Sequence, residues 1–208
     1  MKNLTAIFMV LIGLIVNAQT YTFDYRLKIG SKRKTSSGYD FQPYTLIINS
    51  KNPEYDMGIH SNSYGAIGDK GKHIAYHFNY SQNKITERFD FKSYLEFTPK
   101  DELEIDHINV EKIDENKYSI KCFKKPNARR SVLDLIVSLK PSEDDLIRFY
   151  ALDLSYNINT KIISSLKEKL QGNYVIEEYT ANYKNGNRSH YFIEKLDKIN
   201  LTLNIPNN

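Results

Sequence analysis

The chain has 208 residues, with 29 Lys and Arg against 25 Asp and Glu, a formal net charge of +4 and a single cysteine. That length admits one domain or at most two small ones. One cysteine excludes an intramolecular disulfide, and so mild a charge does not mark a nucleic-acid binder.

Met1 and Lys2 give a short positive start, and Leu4 to Val16 then run without a charge. Val16, Asn17 and Ala18 form a small-residue site ending in Ala, with Gln19 as the expected first mature residue. A charged start, an apolar run of about 7–15 residues and such a site describe a secretory signal peptide. A membrane span needs about 20 apolar residues. The expected organisation is therefore a signal peptide over 1–18 and a single β-rich domain over 19–208, in a periplasmic or secreted product. No cysteine stands at the cleavage site, so no lipoprotein anchor is expected there.

The chemical grammar changes at once after the signal. Tyr21, Phe23, Tyr25, Leu27 and Ile29 alternate with Thr22, Asp24, Arg26 and Lys28, the period of a half-buried strand. Further strand-like runs span 44–50, 55–60, 73–78, 84–91, 107–113 and 117–123, each bounded by turn-formers. The last two flank Asp114-Glu115-Asn116 and read as a hairpin. "GDKGK" (68–72) reads as a tight turn, and "SKRK" (31–34) and "KKPNARR" (124–130) as basic loop tips. The run 131–139 is more continuously apolar and fits a central strand, stopped by Pro141; 146–158 resumes the strand pattern.

One segment breaks the period. Ile162, Ile163, Leu166 and Leu170 recur at helical spacing, with Asn159 or Thr160 available as a cap and Gly172 placed to terminate. The spacing predicts a helix over 160–171 that buries those four residues. Two runs then flank Asn185-Gly186, a pair that tolerates the positive φ of a tight hairpin turn. Ile199, Leu201, Leu203 and Ile205 close the chain in alternation. Roughly nine to eleven strands, one helix and no β-α-β rhythm predict a mainly β (α+β) fold, a curved antiparallel sheet or half-barrel with one packed helix.

The constellations that carry chemistry are sparse. His73 and His77 lie four apart, but on a strand that spacing spans about 13 Å, too far for one ion. Ser164 to Lys167 matches S-x-x-K, yet Ser164 falls inside the helix and the companion motifs of that chemistry are missing. Acidic groups occur at 101–106, with Glu102, Glu104 and Asp106 on one strand face or in one turn, and at 142–145; neither has calcium-loop spacing. Cys122 alternates with Ile120 in a strand and reads as a small buried hydrophobe. No enzymatic function, metal or cofactor is expected from this set.

A Lys-, Asn-, Ile- and Tyr-rich exported chain with "NAQ" after its signal resembles secreted proteins of the Bacteroidota. The terminal stretch "NYVIEEYTANYKNGNRSHYFIEKLDKINLTLNIP", preceded by a helix, resembles the end of the outer-membrane lipoprotein carrier family. That resemblance covers the last quarter of the chain and a strand-rich order upstream. It implies late strands and a hairpin closing a half-barrel over an apolar concave face that holds acyl chains. The chain departs from the carriers by starting on a strand directly after the signal, where they have an N-terminal helix. No functional residue carries over.

If the sheet curves around the helix, its inward rows hold Tyr21, Phe23, Tyr25, Leu27, Ile74, Tyr76, Leu201 and Leu203. These either line an apolar pocket or fill the space as core. Tyr25, Leu27, Tyr76 and Leu201 are the expected ligand-binding residues, and the two basic runs are the expected contacts for an anionic head group. The functional reading is an exported, non-catalytic cell-envelope protein that binds a lipid or other apolar ligand in a concave sheet. The alternative is a secreted protein–protein or surface-glycan interaction module. Partners on this reading are a lipid or amphiphile and an envelope protein, with no nucleic acid and at most peripheral membrane contact.

Overall fold

Period-two alternation recurs through the chain and folds as alternation should, into strands, most of which bury one row. The computed structural model describes residues 19–206 apart from 36, 37, 42, 62, 99–102, 151, 153 and 185. The expected signal over 1–18, Asn185 of the hairpin pair, and Asp101 and Glu102 of the acidic run lie outside the described residues.

In chain order the strands are β1 (Gln19–Thr35), β2 (Gly38–Phe41), β3 (Tyr44–Ile48), β4 (Tyr55–Ser61), β5 (Tyr64–Asp69) and β6 (Ile74–Gln82). They continue as β7 (Glu87–Glu96), β8 (His107–Asp114), β9 (Lys117–Phe123) and β10 (Leu133–Pro141). The helix α1 (Tyr156–Lys167) follows, then β11 (Tyr174–Tyr183) and β12 (Arg188–Ile205). Together the strands form one open, curved, antiparallel sheet in the order β7-β6-β5-β4-β3-β1-β12-β11-β10-β9-β8, with β2 paired beside β1. From β3 to β7 and from β8 to β12 consecutive strands are neighbours, and β7 and β8 stand at opposite edges. At the centre β1 lies between β3 and β12, joining β12 from Gln19↔Ile205 to Arg33↔Ser189. That long pair ties the two halves of the sheet together.

Four expectations about elements change. The run 146–158 is not a strand: Leu146 makes a single bridge to Val175, residues 147–154 form no regular element where described, and Tyr156 already begins α1. Leu146, Ile147, Phe149, Tyr150 and Leu152 are all buried, so this strap carries its apolar residues into the interior, while Arg148 among them is half-buried. The helix starts earlier than 160 because the side chain of Ser155, rather than Asn159 or Thr160, accepts from the Ile158 amide and caps it. It ends at Lys167, and the chain reverses later, at Gly172 with φ +94°. The stretch "YGAIGD" is a full strand, paired on both sides, although its glycines lower strand propensity. Finally, 31–34 is strand rather than loop, paired to both β2 and β12.

Two apolar cores form. The first gathers Leu27, Ile29, Leu46, Ile48, Ile120, Leu135 and Tyr179 around the helical residues Ile158, Ile162 and Leu166. The second holds Tyr21, Phe23, Ile47, Met57, Ile67, Tyr76 and Phe78. Leu46 and Ile48 belong to one and Ile47, between them, to the other, so the cores lie on opposite faces of β3. Along β1 the buried row passes from the second core to the first between Phe23 and Tyr25, where the register with β12 slips.

Cys122 is fully buried on the Ile120 face. Burial, with the Asp134 charge adding to it, pushes its thiol up to about 12. Iodoacetamide at pH 8 is therefore expected to leave the native protein unlabelled and to add one label after denaturation, read by intact mass. Labelling of the native protein at the denatured rate would place the thiol at the surface.

Candidate functional site

Cross-strand rows explain where space opens in this sheet. One row runs Leu27, Leu46, Gly58, Ala66, His77; the next runs Tyr25, Ile48, Asp56, Gly68, Ala75. Both begin with large side chains packed in the first core. Beyond β3 the first falls to Gly58 and Ala66 before His77, and the second passes Asp56 to Gly68 and Ala75. The loss of side-chain volume leaves a floor without filling, and a cavity of about 720 Å³ stands over it.

The helix supplies the facing wall. Ile158, Ile162 and Leu166 point into the core, whereas Tyr156, Asn159, Thr160, Ile163, Ser164 and Lys167 line the cavity. Their spacing puts the second set on one helical face beside the first. Ile163 thus borders the cavity and only partly packs on the core, as does Leu170 on the core alone. The strap contributes Arg148, Phe149 and Tyr150, and Tyr44, Leu46 and Tyr191 close the side towards β1 and β12. Exposed His60, Thr160 and Ser164 mark the mouth. At the mouth, Tyr44, His60, Tyr64 and His77 form a ladder of rings with centroids 6.1, 6.3 and 5.7 Å apart.

Charges in the lining are mostly positive. Lys70 is paired with Asp56 and lies 5.8 Å from the centre of the Tyr156 ring, which links sheet and helix across the cavity. Lys167 is paired with Asp145. Arg148 donates to the carbonyl of its neighbour Ile147 at 2.9 Å and makes no ion pair among the described residues. Burial lowers its pKa, and Asp145 opposes that. The Tyr44 hydroxyl and the Asn159 Oδ1 are buried without a hydrogen-bond partner among the described residues. Burial, then the neighbouring Tyr191, Tyr150 and Asp56, raises the Tyr44 phenol well above its ordinary value. Among the described residues no three His, Cys, Asp or Glu side chains group as metal ligands.

The four residues expected from the sequence to bind a ligand fall in two places. Tyr25 and Leu27 are buried in the first core, and the Tyr25 hydroxyl donates to Asp144 at 2.6 Å. Tyr76 and Leu201 belong to the second core. On β6 the cavity faces Ala75, so Tyr76 points to the opposite side; its hydroxyl donates to Gln19, beside the buried Tyr21–Asp69 hydrogen bond of 2.6 Å. Leu201 is half-buried and paired with Phe23. None of the four is among the cavity-lining residues, although the rows of Tyr25 and Leu27 lead to its floor. Of the two basic runs, 31–34 reaches the cavity only through Ser31 among the described side chains, Lys32 does not line it, and 124–130 does not; Lys124 stands by Glu104 at 3.8 Å, outside the lining.

The residues that do line it had weaker signals. Arg148 is a lone cation inside the apolar run "LIRFY", and Gly58, Ala66, Gly68 and Ala75 are small residues at alternate strand positions.

No protein-family model matches the chain, and no curated protein sequence does. Among solved structures it is similar to a LolA superfamily protein from Nitrosomonas europaea at 8% identity, over 86% of this chain and 87% of that one, with a TM-score of 0.35. It is also similar to an outer membrane lipoprotein-sorting protein domain from Vibrio parahaemolyticus at 9% identity, over 85% of each chain, with a TM-score of 0.29. With identities this low, function is read from the cavity of this chain itself.

Proposed function

We propose that this protein is an exported, non-catalytic binding protein of the cell envelope that holds one lipid or other amphipathic molecule between its helix and its sheet. The observation that carries this reading is the cavity of about 720 Å³. Ligand sites are concave, mainly apolar, and of roughly 300–1,000 Å³, with a few placed polar groups. Here Tyr44, Leu46, Phe149, Ile163 and Tyr191 supply apolar wall, and Arg148, Asn159 and Lys70 supply polar points. The floor is empty because its residues are small, not because packing failed elsewhere: both cores are built from fully buried side chains.

The full chain, expressed with residues 1–18 and purified from an envelope fraction without detergent, is expected to fly in native mass spectrometry with a bound lipid. A clean apo mass, together with no thermal stabilisation by any fatty acid or phospholipid, would overturn the reading. The alternative, a protein-interaction module, draws on the edge strand β7, where Tyr94 and Leu95 are exposed and Phe97 follows them. An open strand edge of that kind pairs with a partner strand. It gains ground if the apo result is obtained.

A further inference from the structure

We propose that the molecule held in the cavity carries an anionic head, a carboxylate or a phosphate, and that Arg148 seats it with help from Tyr44. This inference rests on the cavity being the binding site. Among the described residues three cations line the cavity against one carboxylate, Asp56. Lys70 is satisfied by Asp56 and Lys167 by Asp145, each in a direct ion pair. Arg148 is the cation left over: among the described residues its one hydrogen bond runs to the backbone carbonyl of the preceding residue. A guanidinium carries five N–H donors in a planar fork that matches a carboxylate or phosphate. Arg148 is half-buried; a charge partly withdrawn from water without a partner carries a desolvation cost, and an incoming anion offsets it.

Two further groups line the same cavity in the same condition. The Tyr44 hydroxyl is a buried donor with no acceptor, and the Asn159 Oδ1 is a buried acceptor with no donor, both among the described residues. Asp56 acts electrostatically on both Tyr44 and Arg148, which puts the two in one neighbourhood. The set therefore offers a charged fork and a hydroxyl to anionic oxygens, and an acceptor to a hydroxyl or protonated oxygen of the same head. Leu46, Ile163 and the glycine–alanine floor are left for the chain.

The test compares dodecanoate, dodecyl phosphate and methyl dodecanoate by calorimetric titration against the wild-type full chain, Arg148→Gln, Arg148→Lys and Tyr44→Phe. Either anionic amphiphile is expected to bind the wild type about tenfold or more tighter than the ester. Arg148→Gln is expected to erase that preference, its fold being verified by a wild-type circular dichroism spectrum and melting midpoint. Arg148→Lys, keeping charge but not the fork, is expected to retain part of it, and Tyr44→Phe to reduce it by about threefold. Equal binding of ester and acid by the wild type overturns the anionic head and leaves the cavity reading standing. A preference that survives in Arg148→Gln assigns the head to another residue and overturns the role of Arg148. Inorganic phosphate or acetate binding as tightly as the matching amphiphile overturns the tailed ligand in favour of a free anion. If none of the three amphiphiles binds, the cavity reading itself fails, and this inference with it.

Discussion

Replacing Leu166 by aspartate is expected to unfold the protein or leave it without a cooperative melting transition. Leu166 is 0% exposed and stands with Ile158 and Ile162 on the face that joins α1 to the first core. Burial of one such side chain contributes about 1.5–3 kcal/mol. Placing an unpaired carboxylate in the same site costs several kcal/mol more, or forces its protonation. Together these approach the roughly 5–15 kcal/mol by which domains are stable. The effect spreads beyond the core because the same helix forms one wall of the cavity. Ser164→Asp, two residues away at an exposed position, provides the comparison and is expected to shift stability by less than about 0.5 kcal/mol. Urea melts followed by circular dichroism decide between them. A Leu166→Asp protein with a wild-type midpoint would mean that the helix is not packed on the sheet.

How much of this was legible in the sequence depends on the level of structure. Strand alternation named the buried row of β1 correctly, from Tyr21 to Ile29, and the 107–123 hairpin closes as its turn residues require, with Asp114 opposite Lys117. Alternation is a local rule: it says which residues share a face of one strand, not which layer that face meets after the sheet coils. That is why Tyr25 and Tyr76, both inward by pattern, belong to different cores. The strap failed for a related reason. Apolar residues in 146–152 satisfy a strand pattern and an interior irregular segment equally well, and only the tertiary context separates them. The candidate site was least legible. Sequence reading looks for large apolar and charged residues, whereas this cavity exists through the absence of side chains at Gly58, Ala66, Gly68 and Ala75. Its cation without an ion-pair partner among the described residues, Arg148, comes from a segment whose structure the pattern misread.

That origin of the cavity leads to a second large effect, on binding rather than stability. Gly68→Phe is expected to keep the fold and to weaken amphiphile binding by roughly 100-fold or more. The position is suited to it. Gly68 sits in β5 between Asp56 and Ala75 in its cross-strand row, and an added Cβ would meet only the Asp56 Oδ1, at an ordinary 3.9 Å. Its backbone does not require glycine, since positive φ among glycines is confined to Gly172 and Gly186 within the described residues. Strand propensity rises from glycine to phenylalanine, so thermal stability is expected to hold or increase. Gly58 is a poorer choice, because a Cβ there would lie 2.8 Å from the His60 Nε2 and disturb the ring ladder at the mouth. From Gly68 the new ring enters the space above the floor and takes the volume that a ligand would need. Stability and dodecanoate affinity must therefore move apart in this variant, in contrast to Leu166→Asp, where both are lost together. Wild-type affinity in a folded Gly68→Phe protein would mean that the ligand is held elsewhere, and the small-residue floor would then be only a gap in packing.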